Sequence, residues 1–313
     1  MGKFKRGLSQ AFIAALNAKY DQEDSQASDG RSWWRRLADD PELCLGIRDE
    51  SLNVYHKGNS LLRLTYPKRS LHAEIHYKYL LAPSRPHSYI TLVDGKSAAP
   101  PDETYFLHDL RTLTPARLKR ASDPYTSQEK QGVHAILRSN PNIIDIEIAV
   151  EGEPKKEGSE SKQKVKRIDF ATLTTKPGEV EMVFFEAKLF ANAELRSRGK
   201  KKSPVVDQIE SYERLLDKHH EAIEYEYRNA CANLIGLKGK GLSARLLAAA
   251  GLVCAGKPIT VNKRPRLVIF GFDEDQRDGA NWKRDYEKLV EQLGDDRVLV
   301  KGKPANFRAG ISS

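Results

Sequence analysis

The chain is poor in cysteine and has no long hydrophobic run, and each shortage excludes a class of protein. Its 313 residues include only three cysteines, which are widely spaced: Cys44, Cys231 and Cys254. They form no metal-ligand pattern, and three thiols cannot all pair as disulfides. No apolar run approaches the roughly 20 residues that a membrane-spanning helix needs. The sequence therefore predicts free thiols in a reducing compartment and no transmembrane segment.

The first residues also lack targeting signals. The stretch M-G-K-F-K-R has no apolar signal-peptide core, and Arg6 stands where a myristoylation motif needs Ser or Thr. No internal repeat is visible. With the free thiols, this pattern predicts a cytoplasmic protein with no membrane partner.

Positive charge is the main compositional feature. The chain has 52 Lys and Arg against 43 Asp and Glu, a net charge of +9 and a pI near 9.3. This balance favours a polyanionic partner, nucleic acid above all, although many basic proteins bind no DNA. Hydrophobic residues make up 39% of the chain, enough for a sizeable core in one large domain or two smaller ones.

The N-terminal part predicts a helix followed by an antiparallel sheet. Residues 7–20 place Leu8, Phe12, Ala15 and Leu16 on one helical stripe. Residues 43–80 alternate in short runs between turn signals, which is typical of a β meander. Its aromatic and basic side chains could form a nucleic-acid face or the solvated side of a sheet. Residues 83–104 carry four prolines and predict an irregular connection, so we expect one module at 1–120 and a second domain at 121–313.

Two strand-like runs at 165–188 form the centre of the second domain. They are joined by Pro177 and Gly178, which predict a hairpin turn. Side chains at i and i+2 share a face of a strand, so Glu186 and Lys188 point the same way. Charges at the end of a buried strand need partners, and Asp169 on the neighbouring run is the obvious third member.

A magnesium-dependent phosphodiesterase would require such a set: an Asp, then a Glu and a Lys separated by one residue. Carboxylates supply hard oxygen ligands, and the Lys can hold a water or offset charge on the phosphate. The alternative is an exposed charged pair on a strand, which is frequent in a chain that is 30% charged. The sequence Ile168-Asp169, hairpin, Glu186-Ala187-Lys188 resembles the PD-(D/E)XK nuclease superfamily, with Ile168 where that family often has Pro.

The resemblance extends to flanking helices. Glu129 lies in a predicted helix at 126–138, where many members have a metal-binding Glu; it could equally close a capping box with Thr126. Gln208 and Tyr212 lie four residues apart on the helix after Lys188, like the Q-x-x-x-Y motif of the RecB-like branch. The element order from 126 onward then resembles the family's αβββαβ core, an α/β fold with a central mixed sheet between helices.

A cluster of basic residues follows the central hairpin. It comprises Arg196, Arg198, Lys200, Lys201 and Lys202. Such a run is usually a solvated loop, but its place directly after Lys188 also suggests contacts with phosphates.

The resemblance implies a metal-dependent deoxyribonuclease that leaves a 5′-phosphate, in DNA repair or in defence against foreign DNA. Asp169 and Glu186, with the backbone carbonyl of Ala187 and Glu129, would bind Mg²⁺, and Mn²⁺ is expected to substitute. Lys188 would position or help deprotonate the attacking water, while Gln208 and Tyr212 would support the site or touch DNA. The alternatives are a catalytically inactive DNA-binding module of the same fold and a regulatory protein that binds another polyanion.

Overall fold

The computed structural model describes residues 4–25, 27, 29–80, 89–97, 114–150, 166–197, 199, 201–239 and 241–310. These residues form an α/β structure with two six-stranded sheets, one antiparallel and one mixed. Among them, no helix combines the length and the apolar character needed to cross a membrane.

The chain divides into two compact units. The N-terminal unit comprises Lys5–Ser127 and Arg228–Cys254, and the C-terminal unit comprises Met1–Phe4, Gln128–Tyr227 and Ala255–Ser313. The predicted division at residue 121 assigned everything after it to one domain, whereas 228–254 belong to the N-terminal unit. Asn233 makes one of the contacts that join this segment to the rest of the unit. Its side chain accepts from the Leu8 N–H (2.8 Å) and donates to the Leu8 carbonyl (3.2 Å).

The N-terminal unit contains an antiparallel meander whose strands pair in chain order. Its strands are β1 Cys44–Arg48, β2 Ser51–His56, β3 Asn59–Thr65, β4 His72–His76, β5 Tyr89–Val93 and β6 Lys96–Ser97. The meander predicted at 43–80 is confirmed. The irregular connection predicted from residue 83 is wrong at β5 and β6, because Tyr89–Val93 alternates as a strand does and pairs with β4 along its whole length.

Four helices accompany this sheet. They are α1 Gln10–Asp21, α2 Trp33–Ala38, α3 Pro115–Ser122 and α6 Ala244–Cys254. The predicted stripe of α1 is confirmed by Phe12 and Leu16, which are fully buried. Helix α2 begins after Ser32, whose hydroxyl accepts from the Arg35 N–H (3.1 Å) and so satisfies one of the free donors of the first turn.

The C-terminal unit is built on the mixed sheet, in the order β12-β11-β9-β8-β7, with β10 also paired to β9. Its strands are β7 Ile143–Val150, β8 Lys166–Thr175, β9 Val180–Leu189, β10 Ile259–Val261, β11 Arg266–Phe270 and β12 Val298–Lys301. Strands β7, β8 and β9 are antiparallel neighbours, whereas β9, β11 and β12 run parallel. Its helices are α4 Gln128–Ser139, α7 Glu274–Asp278, α8 Ala280–Leu293 and most of α5 Pro204–Gly236, whose last residues, 228–236, belong to the N-terminal unit.

The turn between β8 and β9 forms as predicted. Gly178 has φ +85°, and Lys176 and Glu179 exchange backbone hydrogen bonds of 3.0 and 3.4 Å. The two strands then pair so that the Phe170 and Phe185 rings stack at 4.9 Å. The hairpin therefore delivers Asp169 and Glu186, the residues next to this aromatic pair, to one end of the ladder.

Two predictions for this region are wrong. The sequence pattern predicts two helices, at about 204–216 and 219–237, but they are one continuous helix of 33 residues, because the polar segment around His219 and His220 contains no helix-breaking residue. The alternation of residues 143–150 predicts that Asp145 and Glu147 face solvent, whereas Asp145 is 2% exposed and Glu147 is half-buried. The Asp145 Oδ2 accepts from the Tyr227 hydroxyl (2.7 Å), a partner that only the packing of α5 supplies.

Gly132 allows α4 to lie close against β11. A Cβ at this position would lie 1.9 Å from the Phe270 ring. We expect Gly132→Ala to lower the free energy of unfolding by about 1–3 kcal/mol, since a buried ring must move. Gly251→Ala on α6 is the matched control: nothing lies within 4 Å of its Cβ position, so alanine should stabilise the helix by about 0.5–1 kcal/mol. Urea unfolding measures both, and equal signs would contradict this packing argument.

Candidate active site

The site lies where β8 and β9 stop pairing. Their ladder ends at the Phe170–Phe185 pair, and Asp169 and Glu186 are the next residues. The Asp169 Oδ2 accepts the Ala187 N–H at 2.7 Å, so a carboxylate replaces the strand carbonyl as the acceptor. This bond fixes the Asp169 carboxylate beside the strand segment that carries Glu186 and Lys188.

Glu186 is buried, and only one of its two carboxylate oxygens has partners among the described residues. Its Oε1 lies 2.9 Å from the Lys188 Nζ and accepts from the Gln208 Nε2 at 2.9 Å. Its Oε2 is buried and has no hydrogen-bond partner among the described residues. A buried carboxylate oxygen without a donor is costly, so a ligand that supplies positive charge would be favoured there.

The two carboxylates resist ionising together. Burial and then the charge of Glu186 raise the pKa of Asp169 well above its ordinary value of 3.8. Burial also raises the pKa of Glu186, although Lys188 opposes the shift. Each carboxylate therefore binds its proton more strongly than a free side chain does, and a bound cation would favour their ionised forms.

Lys188 is held between two carboxylates. Its Nζ lies 2.9 Å from the Glu186 Oε1 and 2.7 Å from the Glu194 Oε2. Burial alone would lower the pKa of Lys188, but the charges and hydrogen bonds of Glu186 and Glu194 raise it above its ordinary value. The ammonium therefore stays protonated. Positioning a water or phosphate fits this protonation state, and the second predicted role of Lys188, help in deprotonating the water, stays a prediction.

Gln208 and Tyr212 support Glu186 from one face of α5. The Gln208 Nε2 contacts both the Glu186 Oε1 (2.9 Å) and the Tyr212 hydroxyl (2.6 Å). The Tyr212 hydroxyl in turn donates to the Arg167 carbonyl on β8 at 2.5 Å. The structure thus brings this predicted pair to the site, where it orients the carboxylate and joins α5 to the sheet.

Glu129 lies at the start of α4 and faces the end of β9. Its Oε2 accepts from the Leu189 N–H (3.0 Å) and from the Asn192 Nδ2 (2.7 Å). These bonds connect α4 to the strand that carries Lys188. The Glu129 Oε2 therefore contacts β9 and the residue after it, and does not form the predicted capping box with Thr126. The charge of Glu129 also contributes to the raised pKa of Glu186. Direct contact of Glu129 with a metal stays a prediction.

Sequence reasoning missed two residues of the site. Glu194 lies in a 3₁₀ turn, Ala193–Leu195, and its own N–H donates to the Asn192 Oδ1 at 2.9 Å. Glu147 on β7 has φ +50°, is half-buried, and its charge raises the pKa of Asp169. Glu194 could have been suspected from its closeness to Lys188 in sequence, whereas no sequence signal indicates a left-handed residue inside a strand.

The basic run has mixed surroundings. The Arg196 guanidinium lies 4.9 Å from both the Phe190 and Trp282 rings, and it donates to the Phe190 carbonyl (3.0 Å). Lys202 is paired with Glu210, and Lys201 is exposed. Arg198 and Lys200 lie outside the described residues. Arg196 therefore has a packing role, and contact between this run and phosphates stays a prediction.

The donor set suits a hard divalent cation better than a soft one. Asp169 and Glu186 offer carboxylate oxygens, including the unsatisfied Oε2, and the Ala187 carbonyl is the predicted third ligand. Among the described residues, no group of three or more His, Cys, Asp or Glu side chains is arranged to hold a metal ion. Mg²⁺ commonly uses only one or two protein carboxylates and completes its shell with waters and substrate phosphates. The two-carboxylate site is compatible with that chemistry.

Comparison with known proteins identifies no relative. No protein-family model, no curated protein and no solved structure matches the chain.

Proposed function

We propose that the protein is a metal-dependent nuclease that hydrolyses phosphodiester bonds of DNA. The observation that carries the proposal is the arrangement of Asp169, Glu186 and Lys188 at the end of one strand pair. It combines two carboxylates whose pKa values are raised, a buried oxygen without a donor and a permanently charged ammonium. Metal-assisted phosphodiester hydrolysis requires hard ligands and a fixed positive charge in the same place.

Asp169 and Glu186 would hold Mg²⁺, with the Ala187 carbonyl and Glu129 as further candidate ligands. Mg²⁺ bound there would lower the pKa of a coordinated water and neutralise charge on the scissile phosphate. Mn²⁺, with the same preference for oxygen ligands, is expected to replace it. The Asp169 carboxylate is oriented for this task by the Ala187 N–H, and the Glu186 carboxylate by Gln208.

Lys188 would orient the substrate. Its side chain is 10% exposed, and its ammonium has one buried partner, Glu186, and one partner, Glu194, whose side chain is 48% exposed. A phosphate oxygen that approaches from solvent can replace the exposed carboxylate without disturbing the buried one. The charge that Lys188 places beside the phosphate would stabilise the developing negative charge of the transition state.

Substrate profiling tests the proposed activity. The purified chain would be incubated with circular duplex, linear duplex and single-stranded DNA and with RNA, each with Mg²⁺, Mn²⁺ or EDTA. We expect cleavage of DNA with Mg²⁺ or Mn²⁺ and none with EDTA. Cleavage of circles would identify an endonuclease, and cleavage of linear ends alone an exonuclease. Equal cleavage with and without EDTA would contradict a metal-dependent mechanism.

The second candidate is a catalytically inactive DNA-binding module. It is favoured by the position of Lys188, whose ammonium is already held between the carboxylates of Glu186 and Glu194. In that case Lys188 and its two carboxylates would serve only to join β9 to the turn that follows. DNA binding without cleavage under any divalent metal would select this function over the nuclease.

A further inference from the structure

An aromatic cluster lies on the meander of the N-terminal unit. It comprises His76 at the end of β4, Lys78 and Tyr79 in the 3₁₀ turn Tyr77–Leu80, Tyr89 at the start of β5, and Tyr125 in the turn Asp123–Tyr125. The His76 and Tyr89 rings meet edge to face at 5.1 Å, and the Tyr79 and Tyr125 rings do so at 5.9 Å. A 6.1 Å contact between His76 and Tyr79 joins the two pairs.

The rings of the aromatic cluster differ sharply in exposure. Tyr79 is 4% exposed, whereas Tyr89 is 60% exposed and Tyr125 is 45% exposed. Burial, and then the nearby Tyr89 and Tyr125, raises the pKa of Tyr79 to about 12. Tyr79, which is buried, and His76, which is half-buried, therefore support the two exposed rings and hold them in place. Rings fixed in this way lose little conformational entropy when a ligand stacks on them.

A cation belongs to the aromatic cluster. The Lys78 Nζ lies 4.8 Å from the centroid of the Tyr79 ring and 4.9 Å from that of the Tyr125 ring. Two acidic residues on the same elements already have cationic partners: Glu74 pairs with Arg63 (3.4 Å) and Asp123 pairs with Lys57 (2.7 Å). The whole chain carries a net charge of +9. A ligand with flat apolar groups and negative charge complements such a surface.

We propose that the aromatic cluster is a base-stacking surface for single-stranded nucleic acid. Unpaired bases would stack on Tyr89 and Tyr125, and Lys78 would contact the adjoining phosphate. Single strands are favoured over duplexes because the bases of a duplex already stack on one another. Exposed aromatic rings beside a cation are the standard means by which proteins bind unpaired strands with little sequence preference. This binding function is independent of the proposed nuclease site, since it needs neither metal nor catalysis.

Fluorescence anisotropy with a labelled oligothymidylate of about 15 nucleotides tests the proposal, in EDTA so that no strand is cut. We expect Tyr89→Ala and Tyr125→Ala each to raise the Kd of the full-length protein by roughly 5- to 100-fold. Tyr89→Phe and Tyr125→Phe, which keep the ring, should bind as the unmodified protein does. Tyr225→Ala is the matched control, because Tyr225 on α5 is 64% exposed and lies outside the aromatic cluster.

Several results would overturn the proposal. They are an unmodified protein that does not bind the oligonucleotide, alanine variants that bind as tightly as the unmodified protein, and a Tyr225→Ala variant that is equally weakened. An abasic strand of the same length that binds equally well would show attraction by charge alone, and would also reject base stacking. Both targeted rings are exposed, so melting temperatures should be unchanged; if Tyr125→Ala lowers stability, Tyr89→Ala decides the matter.

Discussion

We expect Lys188→Ala to lower the rate of metal-dependent cleavage by about 100-fold or more, while metal binding is kept. The variant retains both carboxylates, and it loses only the cation that would face the phosphate. Because a positive charge is removed from beside Glu186, the variant should bind a divalent cation more tightly than the unmodified protein does. Nuclease assays measure the loss, and the rise in melting temperature on adding Mg²⁺ measures binding. Undiminished cleavage by the variant would disprove the assignment of this site.

The same substitution should also reduce stability. Glu186 has a side chain that is 3% exposed, and Lys188 supplies its only charged partner within 4 Å among the described residues. Leaving a buried charge without its partner costs about 3–5 kcal/mol. The loss should be smaller at pH 5 than at pH 8, because Glu186 can then take up a proton and no longer needs a cation. Urea unfolding at the two pH values measures this difference.

Glu194→Gln provides the matched control for Lys188→Ala. It removes the other carboxylate that contacts Lys188, but this carboxylate is 48% exposed. An exposed ion pair contributes about 0–1 kcal/mol, so the variant should be nearly as stable as the unmodified protein and should still cleave DNA. If Glu194→Gln destabilised the protein as much as Lys188→Ala, the distinction between the buried and the exposed partner would fail.

Asp169→Asn should abolish cleavage and yet stabilise the protein. Asparagine keeps an oxygen that can accept the Ala187 N–H, and it removes a charge that is opposed by burial and by Glu186. We expect a gain of about 1–2 kcal/mol in the free energy of unfolding near pH 8, as is common when a functional site is neutralised. The rise in melting temperature on adding Mg²⁺ should disappear, since one of two ligands is lost.

The stability gain from Asp169→Asn should depend on pH in a defined direction. Because the folded-state pKa of Asp169 is raised above 3.8, the folded protein binds more protons than the unfolded chain between these two pKa values. The unmodified protein therefore loses stability as the pH rises through that window, whereas the variant loses less. The difference in melting temperature should be largest above the folded-state pKa and should vanish below about pH 4. A difference that grew toward low pH would contradict the raised pKa.

Asp145→Asn tests whether the stability gain expected for Asp169→Asn is specific to the candidate active site. Asp145 is also a buried aspartate of the mixed sheet, but its oxygens accept from Tyr227 and from the Ile146 N–H. Replacing one oxygen by an amide nitrogen puts a donor beside the Tyr227 hydroxyl, so this variant should lose stability and keep its cleavage activity. If Asp169→Asn and Asp145→Asn both gained stability, burial of the aspartate, and not the charge of Glu186, would explain the gain.

Much of the central hairpin follows from local sequence. A left-handed turn needs Gly178, and the alternation of apolar residues sets which side chains share a face. These two rules place Asp169, Glu186 and Lys188 together, because only one turn separates the two strands. The four-residue spacing of Gln208 and Tyr212 likewise puts them on one face of α5 before any packing is known.

Partners that are distant in sequence could not be predicted in this way. The contact of Glu129 with Leu189 spans 60 residues, and that of Asp145 with Tyr227 spans 82. The same holds within the N-terminal unit, where Asn233 bonds to Leu8 across 225 residues. Each depends on how helices pack on a sheet, which periodicity does not encode.

The sequence by itself predicted the strands of the mixed sheet other than β10, most of the meander and the three charged residues of the hairpin, because turns and periodicity are local properties. Only the tertiary structure decided that Lys188 has a second carboxylate partner in Glu194, that Glu186 keeps one oxygen unsatisfied, and that Tyr89 and Tyr125 share a cluster with Lys78. Those outcomes depend on burial and on the meeting of distant segments. They set the charge state of each group, and with it the chemistry that the protein is proposed to perform.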